Sequence, residues 1–447
     1  MISNPPKILA IGLDGATWDI ILPLIEAGEL PAIASILEDG AWGDLRSTVP
    51  PMTTSAWASF GTGRAPCEHG VYTWDVLPPG SYARAIPSRM AVQAENLWEI
   101  LDRHGIASGA YNVPMTYPPT KLRKGFIASC FGAPRTRGDS SWPPELAGEL
   151  RGEWGDLATR VPMKWIDAGA FDIEIFRQQS DVRTDAALWL MQRHPVQVMN
   201  VNYMVTDQVA HYAAGRPVWP LRGGGEGDVL REAYRIADRQ VGALRQALPD
   251  STTCFLVSDH GFGPCRTHIE MNSLLERVGY LTRSSQGPGV RQRVAGALRK
   301  AGRKILPDAL WAQLRRARGR KTQQRVVGWV DWSRTQAFSW SVGGVIRLNV
   351  RGREPAGTVE PEDVPRIRQE LAHALLDVEL DEIGGRPVAE VAEGPSNDCV
   401  GQAPDLIAIP NYDLGCDFGP LAEGAKPWLT KPLSSWPYPL KRVQVQC

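Results

Sequence analysis

The chain has no charge excess, no long apolar run, no internal repeat and no closely paired cysteines. Its 49 Lys and Arg match its 49 Asp and Glu, which argues against bulk electrostatic capture of nucleic acid or membrane. No stretch approaches the ~20 apolar residues that a bilayer-spanning helix needs. Met1 to Pro6 lacks the charged and apolar regions of a signal peptide, so cytoplasmic residence is the expectation. The seven cysteines (Cys67, Cys130, Cys254, Cys265, Cys399, Cys416, Cys447) are odd in number and scattered. None forms a Cys-x-x-Cys pair, a spacing that fits reduced thiols better than a disulfide framework or a thiolate zinc site.

What is present is ordinary in bulk and specific in detail. A length of 447 residues suits one large α/β domain with insertions, or two domains. Hydrophobic content of 43% and charged content of 22% are those of a globular protein. Lys7 to Leu13 is an almost wholly apolar run, as in a strand buried on both faces. It runs into Asp14-Gly15 and then a helix from Trp18. Val196 to Val205 predicts another strand, followed by Asp207 and His211 at the start of a helix. These two residues are four apart and share a helical face. Thr252 to Val257 predicts a third such strand, followed by Asp259-His260-Gly261. Strands alternating with helices predict a mostly parallel sheet with helices on both faces.

The stretch Val49 to Gly63 holds two prolines, the hydroxyls Thr53, Thr54 and Ser55, and the start of a helix. Taken alone, those hydroxyls read as helix caps. The sharper reading makes one of them a nucleophile facing a phosphate, because a helix N-terminus also suits an anion. Asp14, likewise, reads as a cap when considered singly. Together, Asp14, Asp207, His211, Asp259 and His260 place three carboxylates and two imidazoles after strand ends, where open α/β sheets bind ligands. Such donors suit Zn²⁺ or Mn²⁺ better than Ca²⁺.

Between Arg291 and Arg325 there are twelve basic residues and one acid, Asp308. This segment reads as a solvated helical insertion or a basic lid attracting an anionic substrate or touching an acidic membrane surface. The tail beyond Asn411 shows no clear element, and the loop from Tyr117 to Pro144 reads as surface.

In this order the motifs resemble the type I phosphodiesterase/nucleotide pyrophosphatase branch of the alkaline phosphatase superfamily. The pieces are IGLDGA (11–16), VPPMTTSAWASFGTGRAPCEHGVY (49–72), LWEILDRHG, YNVPMTYPP, TDQVAH (206–211), VSDHGFGP (257–264), LNVRGREPAGTV (348–359) and APDLIAI. The resemblance implies an alkaline-phosphatase-like three-layer sandwich and a phosphodiesterase or related phosphohydrolase acting on a small phosphate ester. It implies Thr53 as nucleophile and two divalent ions. Asp14, Thr53, Asp259 and His260 would hold one ion, and Asp207 and His211 the other, with a further His near the C-terminus.

That last His is missing, since all seven histidines lie at or before His373. His268 is a candidate substitute, and a truncated, frameshifted or divergent tail would explain the loss. A catalytically impaired binder of an anion or partner is therefore the alternative, with a monoesterase, sulfatase or phosphomutase relative as a third reading. His69-Gly70 is also not followed by the Asn that nucleotide pyrophosphatases carry, so a nucleotide substrate is not implied. The expected organisation is a catalytic α/β core (1–281), a basic helical insertion or lid (282–330), the remainder of the core (331–420) and an irregular tail (421–447).

Overall fold

A computed structural model describes residues 2–129, 133, 140–158, 172–213, 227–284, 325–326, 329–395, 401–419 and 430–432. The basic segment 291–325 lies outside the described residues apart from Arg325, as does most of the tail.

Fifteen short strands are found among the described residues: β1 Ile8–Leu13, β2 Ala83–Arg84, β3 Ser108–Tyr111, β4 Gly125–Ala128, β5 Ser141–Trp142, β6 Val198–Tyr203, β7 Thr253–Val257, β8 Thr267–Ile269, β9 Arg325–Val326, β10 Ala337–Phe338, β11 Val345–Leu348, β12 Val388–Glu393, β13 Leu406–Pro410, β14 Cys416–Phe418 and β15 Thr430–Pro432. The main sheet has the order β5-β4-β3-β6-β1-β7. All its neighbours are parallel except the edge pair β4 and β5.

Side chains alternate across this sheet with period two, and both faces are buried along its central strands β1, β3 and β6, while Phe255 of the edge strand β7 is exposed. Leu9, Ile11 and Leu13 of β1, with Met199, Val201 and Tyr203 of β6, face one core. Helices Ile173–Arg193, Val205–Ala213 and Gly227–Gln246 contribute Leu190, Val209 and Val241 to that core. Ala110 and Ile127 face the opposite side, against Trp57 and Trp98 from helices Thr53–Thr62 and Leu97–Arg103. Each fully buried aliphatic side chain contributes about 1.5–3 kcal/mol. This is the mostly parallel sheet with helices on both faces that the alternation predicts, and the three-layer α/β sandwich that the resemblance implies.

A smaller antiparallel sheet, β10-β11-β13-β12, forms a second core with helix Val364–Asp377. That helix buries Ile367, Leu371 and Leu375, spaced four apart on one face. The structure corrects two loop assignments. The stretch from Tyr117 to Pro144 supplies β4 and β5, and the region after Asn411 supplies β14 and β15. Strands of two to four residues are too short for periodicity to reveal and exist because neighbouring strands pair with them.

Candidate metal centre at the rim of the parallel sheet

Because β6, β1 and β7 are adjacent and parallel, their carboxyl ends emerge side by side. The residues that follow them, Asp207, Asp14 and Asp259, are all buried. Backbone contacts lock the three turns together. Asp14 N donates to Tyr203 O at 2.9 Å, Gly15 N donates to Asp259 Oδ1 at 3.1 Å, and Thr206 Oγ1 donates to Asp14 O. Gly15 has φ +67°, and a Cβ there would stand 3.0 Å from Cα of Asp207. Glycine permits both this conformation and the close approach.

The helix over Thr53–Thr62 begins at Thr53, with Met52 in the cap position and no side-chain cap hydrogen bond. The three hydroxyls therefore lie inside the first turn and do not cap it. Thr53 Oγ1 lies 3.1 Å from His260 Nε2 and 3.5 Å from Asp14 Oδ1. Thr54 Oγ1 and Ser55 Oγ are buried and make no hydrogen bond among the described residues.

His260 Nδ1 lies 2.8 Å from Gly261 O. A carbonyl only accepts, so Nδ1 carries a proton, and in the neutral ring the lone pair of Nε2 faces Thr53 and the carboxylates. Nε2 is 3.4 Å from Asp259 Oδ2 and 3.8 Å from Asp14 Oδ1. Asp14, Asp207 and His260 present donor atoms within 4.8 Å of one another. His211 Nε2 stands 3.4 Å from Asp207 Oδ1, and its ring meets Phe262 edge-on at 4.8 Å.

Burial, then repulsion from Asp259 and Asp207, pushes the Asp14 carboxyl well above the usual carboxylate range. Burial also raises Asp259, and Asp207 adds to this, against the pull of His260 and of Gly15 N–H. Burial opposes ionisation of Asp207 too, but His211 and His260 outweigh it and hold that carboxyl below its ordinary value. Among the described residues no Lys or Arg pairs with these acids, and Asp207 Oδ1 and Asp259 Oδ2 are buried without a hydrogen bond. Crowded carboxylates, and buried oxygens with an imidazole nitrogen 3.4 Å away, together fit a divalent cation.

A family model for type I phosphodiesterase / nucleotide pyrophosphatase matches residues 8–413. The chain belongs to that family. It is therefore a hydrolase of phosphate esters, in a family whose members depend on metal. A comparison with curated proteins finds no significant match. Among solved structures, phosphonoacetate hydrolase from Sinorhizobium meliloti 1021 with phosphonoacetate is similar at 13% identity, over 94% of this chain and 84% of that one, with a TM-score of 0.52. Its phosphonoformate complex gives 14% identity, 96% and 88% coverage, and the same TM-score of 0.52. Murine ectonucleotide pyrophosphatase / phosphodiesterase 5 aligns at 16% identity over 62% of this chain and 63% of that one, with a TM-score of 0.38.

In this family member all six residues expected at the site come together. The donor set of Asp14, Asp207 and His260 crosses the expected division between two ions. His268 groups instead with Cys265 and Asp417, a separate set of donors. His69 is buried, with Nε2 3.0 Å from Ser59 Oγ and Nδ1 accepting from Val71 N at 3.1 Å, a packing role.

Sequence reasoning missed Trp57, whose Nε1 donates to Asp14 Oδ2 at 2.7 Å. Its position four residues after Thr53, on the same helical face, was the available signal. Among the described residues no single helix is long and apolar enough to cross a membrane.

Proposed function

We propose that this family member is a metal-dependent phosphodiesterase with Thr53 as its nucleophile. Asp14, Thr53, Asp259 and His260 would hold one divalent ion, and Asp207 and His211 the second. Zinc is the better match to imidazole and carboxylate donors, with manganese the alternative. The observation that carries this reading is the position of Thr53 Oγ1, 3.1 Å from His260 Nε2 and 3.5 Å from Asp14 Oδ1. Both neighbours orient the hydroxyl toward the rim.

Thr53 Oγ1 forms the bond to phosphorus while the ester oxygen leaves on the opposite side, giving a phosphothreonine that water then cleaves. The backbone N–H groups of the first helical turn have no acceptor within the helix. With the positive end of the helix dipole they favour an anion beside Thr53. Bound divalent ions would supply positive charge to the phosphate oxygens and to the attacking and leaving oxygens. No Asn follows His69-Gly70, so the reading names a phosphate diester and not a nucleotide.

The test is release of nitrophenol from bis-(p-nitrophenyl) phosphate by zinc-loaded protein, compared with Thr53→Ala. Loss of turnover in the variant is expected, and undiminished turnover removes Thr53 from the role. The absence of a histidine beyond His373 favours a second reading, an anion-binding relative with little turnover. Near two equivalents of metal at the rim with hydrolysis supports the enzyme, and one or none without hydrolysis supports the binder. Comparing mono- and diester turnover on one sample separates a monoesterase.

A further inference from the structure

We propose that Cys265, His268 and Asp417 form an additional zinc site, distinct from the six residues gathered around Thr53. Sγ of Cys265, a ring nitrogen of His268 and a carboxylate oxygen of Asp417 lie within 4.8 Å of one another. Thiolate, imidazole and carboxylate together are a donor set that zinc takes up at about 2.0–2.3 Å per bond. His268 and Asp417 are partly exposed.

The strand pairing explains why these residues meet. In the parallel pair β8 and β14, His268 lies opposite Asp417. Ile269, Cys416 and Phe418, the alternate positions, are buried in the second core. Period-two alternation therefore leaves His268 and Asp417 together on the other face. Cys265 enters from just before β8, and its Sγ lies 3.8 Å from Thr267 O.

Two further contacts hold the arrangement. Phe418 N donates to Asp417 Oδ1 at 2.8 Å, orienting the carboxylate. Gly419 leaves room for the His268 ring, since a Cβ there would fall 2.6 Å from Nδ1. The Cys265 thiol is buried, and burial, followed by the charges of Asp417 and Cys416, pushes its ionisation upward. Without a cation the thiol stays protonated. Binding a divalent ion releases that proton to solvent and offsets the adjacent carboxylate. Asp417 lies close enough for its charge to act on His211 as well as on Cys265, so the site borders the rim without sharing its donors. Three protein ligands leave a fourth tetrahedral position for water.

The experiment uses the full chain, stripped with a chelator and reloaded with cobalt(II), a spectroscopic stand-in for zinc. A sulfur-to-cobalt charge-transfer band in the near ultraviolet is expected. It should be lost in Cys265→Ser and in His268→Ala, and retained in Cys416→Ser and in Asp14→Asn. Elemental analysis of zinc-loaded protein should show one equivalent fewer in His268→Ala than in the unmodified chain. His268 is partly exposed, so this variant carries the test even where Cys265→Ser fails to fold. Absence of the band from folded, cobalt-loaded protein overturns the proposal, as does a band and zinc content unchanged in His268→Ala. Thr53→Ala leaves the sulfur-to-cobalt band intact, so failure here is separable from failure of the diesterase reading.

Discussion

The indole of Trp57 donates a 2.7 Å hydrogen bond to Oδ2 of Asp14, a fully buried carboxylate 43 residues earlier in the chain. One helical turn before Trp57, Thr53 Oγ1 reaches the other oxygen of the same carboxylate at 3.5 Å. A single helix thus fixes the acid with one residue and offers the proposed nucleophile with another. Trp57→Phe removes this donor from a buried acceptor, at a cost of about 1–3 kcal/mol. Loosening the proposed ligand Asp14 through its supporting hydrogen bond should also lower metal affinity about 10–100-fold. Urea unfolding and metal titration of the variant measure the two effects. Unchanged metal affinity would assign Trp57 to packing alone.

Gly15→Ala should disturb the same centre from the backbone. The new Cβ meets Cα of Asp207 at 3.0 Å at a φ of +67°, which costs an L-residue roughly 1–2 kcal/mol before any clash. Lower stability and weaker metal binding are expected together. A variant with the metal affinity of the parent would show that the turn yields without moving Asp207.

Acid should weaken the fold through His69. Burial holds its imidazole neutral down to about pH 4, whereas the unfolded chain takes up the proton near 6.5. Between those values the unfolded state binds more protons, so stability falls as pH drops from 6.5 towards 4. The slope is at most about 1.4 kcal/mol per pH unit. Protonation of Nδ1 would also end its acceptance of the Val71 N–H. Urea midpoints across this range should fall less steeply in His69→Gln, and parallel curves would locate the acid sensitivity elsewhere.

The second core depends on Asp405. This buried carboxylate accepts from Arg353 at 2.6 Å, Arg368 at 2.9 Å and Leu348 N at 2.7 Å. Burial alone would raise its ionisation, but the two guanidiniums and the N–H hold it below the ordinary carboxylate range. Its stabilisation is therefore present at neutral pH and is lost as acid passes below that range. Asp405→Ala takes this partner from Arg368 and from Arg353, which keeps Glu354 at 2.9 Å, and should cost up to about 3–5 kcal/mol. Thermal unfolding at neutral pH measures it, and a change under about 1 kcal/mol would show that solvent replaces the carboxylate.

The sequence by itself determined the strand-then-acid pattern at Asp14, Asp207 and Asp259, the helix placing His211 four residues after Asp207, and the α/β class. Those features are local, set by hydrophobic periodicity and by residue order. Tertiary structure alone decided that β1 lies between β6 and β7, which is why acids 193 and 245 positions beyond Asp14 reach one rim. It also decided that Thr53 stands inside its helix, that Trp57 supports Asp14, and that His268 meets Cys265 and Asp417 through the β8–β14 pairing. Strand order and register come from the burial of whole faces, which no short stretch of residues encodes.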